Sequence, residues 1–139
     1  MDKPKQSAEV SSPPGIDFRR EPDFLVRYAN NAYFETTSWD LKIVFGQTDL
    51  VAGNNVVVQH TAITLPWTYV KIVAYLLQTQ LAAREAEDGH IPVPKNIVRE
   101  PPKELSKKFA GKLKHPKEGI EAIRKLWQEF VAANPELKP

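Results

Sequence analysis

At Leu65-Pro66-Trp67 the hydrophobic pattern changes its period without a polar stretch between, so a strand must feed a helix almost directly. No other feature constrains the fold as much. Upstream, residues 56–65 (VVVQHTAITL) are apolar on both faces near their start, which suits a strand covered on both sides or one lying at a subunit interface. Pro66 has a fixed φ and no N–H, both suited to a first helical turn. The spacing predicts one helix from there to about Asp88, ended by Gly89. Trp67, Val70, Ala74, Leu77 and Leu81 form a stripe on that helix. Tyr69, Ile72, Val73 and Leu76 carry the apolar surface much further round it. A small sheet covers part of such a cylinder, and the rest needs another helix or another subunit.

Residues 24–65 supply the sheet. They are rich in β-branched and aromatic types, with turn-forming clusters at Thr37-Ser38 and Gly53-Asn54-Asn55. A first strand is expected at about Asn31 to Thr36. In SWDLKIVFGQTD, residues 38–49, Trp39, Leu41, Ile43 and Phe45 share one face of a period-two strand, while Asp40, Lys42 and Val44 share the other. The expected fold is α+β: a three-stranded antiparallel meander packed by one long helix, plus a C-terminal helix. Four regions follow. Residues 1–23, with Pro4, Pro13, Pro14 and Pro22 among serines and charges, read as a disordered arm. Residues 24–90 form the sheet-plus-helix core, 91–115 a proline- and lysine-rich linker, and 116–134 a last helix docked on the core through Ile120, Ile123, Trp127 and Phe130. Asn134-Pro135 stops that helix.

Charge is local. The net formal charge is +2, yet residues 91–117 carry eight basic side chains against Glu100 and Glu104, leaving the remainder acidic. Leu105, Phe109 and Leu113 recur every four residues among Lys107, Lys108, Lys112 and Lys114, which predicts a short amphipathic basic helix. Those four lysines are the candidate contacts for a partner or for nucleic acid, where they give salt-dependent binding without sequence choice. The plainer reading is a solvated linker.

The inventory for catalysis is thin. There is no cysteine, hence no disulfide, thiolate nucleophile or thiolate metal site. His60, His90 and His115 show no spacing that places two metal ligands on one helix face. Gly46 and Gly53 are isolated and precede no helix, so no phosphate cradle is signalled. Asp40 and Asp49 have no fixed separation, and Asp40 reads as a solvated residue or the cross-strand partner of a lysine. No membrane span or signal peptide is recognisable. The sequence therefore predicts a non-enzymatic cytoplasmic protein with no catalytic residue, metal or cofactor, acting as a homodimer with an unknown protein partner; an enzyme is the third reading, and it requires His60 as a general base beside Asp40 or Gln47.

Three short motifs add to this: YANN at 28–31, FGQ at 45–47 and ITLPWTYVK at 63–71. Together they resemble an uncharacterised family of short bacterial and archaeal proteins, across about residues 26–87. The resemblance implies a small α+β domain and carries no catalytic or cofactor residue with it. Its matching positions are Tyr28, Asn30, Asn31, Phe45, Gly46, Gln47, Pro66 and Lys71. Physically, Asn30 and Asn31 are suited to turning or capping the backbone. Gly46 suits a bend at the strand's end, Gln47 the capture of a loose backbone group, and Lys71 a solvated helix position.

Overall fold

The structure, a computed structural model, describes residues 15–49, 56–95 and 97–138. Its elements are β1 (Asn31–Thr36), β2 (Asp40–Asp49), β3 (Val56–Pro66), α1 (Trp67–Asp88), α2 (Lys107–Ala110), α3 (Pro116–Ala133) and a 3-10 turn at Pro135–Leu137. The α+β class is as expected: a three-stranded antiparallel sheet in the order β1-β2-β3, then a long helix and a C-terminal helix. Residues 1–14 of the expected arm, and the expected turn at 53–55, lie outside the described residues. Two compact units divide within α1, Met1–Ile72 and Val73–Pro139.

In the first unit β2 is central. On one sheet face the register aligns Phe34, Ile43 and Ile63 in one row, Thr36, Leu41 and Leu65 in the next, and Ala32, Phe45 and Thr61 in a third. Rows on the opposite face join Tyr33 to Val44 and Ala62, and Glu35 to Lys42 and Thr64. Among the described residues Leu41 and Val44, 8% and 9% exposed, are the buried apolar side chains, and they lie on opposite faces. The centre strand is thus shielded by its neighbours' side chains on both sides, while the flanking strands are not.

Trp39 does not share the sheet face of Leu41, Ile43 and Phe45. It lies before β2, in the loop that joins β1 to β2, and is 83% exposed. The cause is local: Thr37 closes that loop. Its N–H donates to the Asp40 carbonyl at 2.9 Å, and its hydroxyl oxygen accepts from the N–H groups of Trp39 (3.1 Å) and Asp40 (3.0 Å). The same hydroxyl donates to the Asp40 carboxylate at 2.7 Å, so Asp40 is a turn residue rather than the partner of a lysine. Lys42 pairs instead with Glu35 on β1, at 2.7 Å, and this hydrogen bond raises the ammonium above its ordinary range.

α1 starts at Trp67, one residue after Pro66, which is the last residue of β3 and sits opposite Asp40. Trp67 Nε1–H donates to the Thr37 carbonyl at 3.1 Å, which ties the first turn of α1 to the β1–β2 loop. The helix ends at Gly89, whose φ of 85° lies in the left-handed region and whose N–H returns to the Glu85 carbonyl at 2.9 Å. No residue of α1 is buried, and Tyr69, Ile72, Tyr75, Leu76, Leu77 and Leu81 are exposed around its circumference.

In the second unit α3 carries its proline in the first turn, as the sequence requires, and Asn134 ends it. Asn134 is buried, and its side-chain amide donates to the Phe130 carbonyl at 2.7 Å. Within α3, Ile120 and Trp127 are half-buried, whereas Ile123 and Phe130 are exposed. Glu136 in the closing turn accepts from the Val93 N–H at 2.6 Å and lies 3.0 Å from His90 Nε2. The Val93 hydrogen bond is the main cause that holds this carboxyl below the usual carboxylate range, with His90 adding to it.

The expected basic helix over 105–113 is reduced to the single turn α2. Gly111 follows it at once, and Leu113 N–H bonds back to Ala110 in a turn at 3.2 Å. A short helix that must take in glycine and place Lys108 four residues from Lys112 has too little to offset nucleation. Among the described residues no helix is long and apolar enough to cross a membrane.

Candidate functional site

One irregularity organises the first unit. Phe45 lies opposite Thr61, but Gly46 lies opposite Gln59, so His60 is an extra residue in β3 and the strand bulges. Gly46 fits this place because it has no side chain. A Cβ there would stand 2.8 Å from the Val58 carbonyl oxygen, 2.9 Å from Val57 Cγ1 and 3.2 Å from Gln59 Cα. The expected role of Gly46 in a bend thus becomes a close approach of two strands.

The bulge sets the His60 ring beside Thr61. His60 Nδ1 is 2.8 Å from the Thr61 hydroxyl, and Nε2 is 2.9 Å from the Tyr28 carbonyl oxygen. A carbonyl only accepts, so Nε2 carries the proton and Nδ1 accepts from Thr61 in the neutral ring. His60 therefore acts as a strut from β3 to the chain ahead of β1. Asn30 makes a second tie: its N–H donates to the Gly46 carbonyl at 3.1 Å, and its Oδ1 accepts from the Thr48 N–H at 2.7 Å. Gln47 is exposed, so the loose amide near the strand's end is taken by Asn30 and not by Gln47.

The positions of two motifs, YANN and FGQ, thus meet at the bulge. Tyr28 offers its carbonyl while its ring is exposed, and Asn31 pairs with Gly46. Phe45 lines an open groove of about 470 Å³ with Leu25, Arg27, Ala29, His60, Thr61 and Ile63. Pro66 is at the far end of β3, and Lys71 is exposed on α1. The groove was not legible beforehand. Leu25, Arg27 and Ala29 carry no motif, and the sequence does not announce that β3 takes one extra residue.

Both ring nitrogens of His60 have partners within the chain. Asp40, opposite Pro66, is six strand positions from His60, about 20 Å along the sheet at the rise of a strand. Among the described residues no group of three or more His, Asp or Glu side chains is placed to hold a metal ion. Lys107, Lys108, Lys112 and Lys114 are exposed, the first two on α2 and the others in the turns that follow, and among the described residues none makes an ion pair with an acid. The chain matches no family model, no curated protein and no solved structure.

Proposed function

We propose that the chain is a small non-catalytic interaction module that acts as a homodimer through protein–protein contacts. The observation that supports this is the apolar surface the single chain leaves open. Tyr33, Phe34, Val56, Val57, Val58 and Ile63 are exposed on the sheet, and α1 is apolar around its circumference with no buried residue. On one face Phe34 and Ile63, both exposed, flank Ile43 in a single row; monomeric proteins seldom leave large apolar patches open to water, and a helix apolar all round is ordinarily a covered helix. A two-fold pair covers equivalent patches on both copies at once, which makes it the simplest closed arrangement. Light scattering of the purified chain is expected to return twice the 15.7 kDa chain mass. A mass of one chain at every concentration ends the proposal.

A second reading uses the four exposed lysines 107, 108, 112 and 114 to bind nucleic acid. Mobility shift at low and moderate salt tests it: replacement of all four by glutamine is expected to remove any shift and flatten its salt dependence, and no shift at low salt dismisses it.

A further inference from the structure

We infer that a second copy of this chain pairs along the outer edge of β3, antiparallel, with the two-fold axis at Ile63, so that two sheets join into one of six strands. This rests on the homodimer reading and specifies its geometry.

The first ground is where the sheet keeps its charges. The strand order places β1 and β3 at the edges and β2 between them, and no described strand lies on the outer side of β3. Edge strands of lone sheets are ordinarily short or guarded by charged side chains, because an open row of N–H and C=O groups recruits further strands. Here the pattern is inverted. The central strand holds Asp40, Lys42 and Asp49, and the short edge β1 holds Glu35, whereas β3, 11 residues long, has no Asp, Glu, Lys or Arg at all. An uncharged edge pairs with its own copy without setting like charges opposite one another.

The second ground fixes the register. Within β3 the bulge at His60 interrupts the strand on one side, and Pro66, which has no N–H to give to a ladder, interrupts it on the other. The unbroken run between them is Thr61 to Leu65, and its middle residue is Ile63. A two-fold axis there sets Thr61 opposite the second copy's Leu65 and Ala62 opposite the second copy's Thr64. Both copies then end their pairing where β3 itself becomes irregular.

The third ground is what the axis does to the exposed face. Phe34, Ile43 and Ile63 form one row across the sheet, and Phe34 and Ile63 are 55% and 48% exposed. With Ile63 at the axis the row continues directly into its equivalent, giving one apolar ladder across six strands. Cross-strand pairs of this type are the unit of sheet stabilisation.

The chain has no cysteine, so single replacements report on this geometry without interference. Ile63→Cys is expected to cross-link to its own copy under mild oxidation, since directly opposed residues bring their Cβ atoms to about 5 Å. Thr61→Cys alone is not, because two copies of position 61 are offset by four ladder positions, about 14 Å. Mixing Thr61→Cys with Leu65→Cys chains restores the cross-link and leaves Ile63 untouched, which keeps the test valid if Ile63→Cys folds poorly. A light-scattering dimer with neither cross-link overturns the edge geometry while leaving the homodimer reading standing. A monomer overturns both.

Discussion

Replacing Gly46 by alanine should loosen the bulge, and its cost can be worked from the contacts. The new Cβ meets the Val58 carbonyl oxygen at 2.8 Å and Val57 Cγ1 at 2.9 Å, both closer than such atoms approach. One obstacle is a side chain, but the other is backbone in a paired strand, so relief requires β3 to move away from β2. Overpacking of this kind typically costs about 1–3 kcal/mol. For a compact unit of this size that unfolds in one step, about 4–8 °C is lost per kcal/mol, so a drop of at least about 4 °C is expected. Thermal unfolding followed by circular dichroism gives the measurement. Val57→Ala in the same chain separates the obstacles: it removes the Cγ1 contact and leaves the carbonyl contact, so the double variant should regain less than about 0.5 kcal/mol over the Gly46→Ala variant. A Gly46→Ala protein melting within about 1 °C of wild type would refute the close approach of the strands.

Asn30→Ala leaves the Thr48 N–H without its side-chain acceptor, and urea unfolding should show a loss of about 0.5–1.5 kcal/mol. Glu136→Gln removes a carboxylate whose folded-state pKa lies below its unfolded value. The stabilisation it supplies is therefore present above the ordinary carboxyl range and fades as pH falls through the lower, folded value. The variant should show a smaller loss of stability than wild type between neutral and acid pH, and parallel acid-unfolding curves would contradict the role of Val93 and His90. Conversion of Lys107, Lys108, Lys112 and Lys114 to glutamine should leave the oligomeric mass by light scattering unchanged, because these lysines lie outside β3. A shift to monomer would place α2 and the turns after it in the dimer contact.

What the sequence revealed followed from periodicity and chain-stopping residues. Residue type and turn clusters located β1, alternation located most of β2, and the helix spacing between Pro66 and Gly89 located α1, because these signals act within a few residues. Trp39 departs from the alternation because that pattern extends readily by one residue into a loop, and the Thr37 hydroxyl that closes this loop has no periodic signature. The basic helix failed for a related reason: its apolar spacing was right, but Gly111 and repeated lysines left it without the length a helix needs. The bulge is the deeper case. Gly46 and Asn30 are residues fit for bends and caps, yet their joint purpose depends on His60, which lies in a different strand. Only pairing in three dimensions brings Tyr28, Asn30, Gly46 and His60 together.

Self-association underlies the proposed function, and sedimentation equilibrium over a wide concentration range tests it most directly. The expected result is a reversible equilibrium in which the mass rises with concentration from 15.7 kDa to a limit of twice 15.7 kDa. A 15.7 kDa monomer that stays soluble at the highest concentration, with its apolar sheet and helix surfaces open to water, would contradict it.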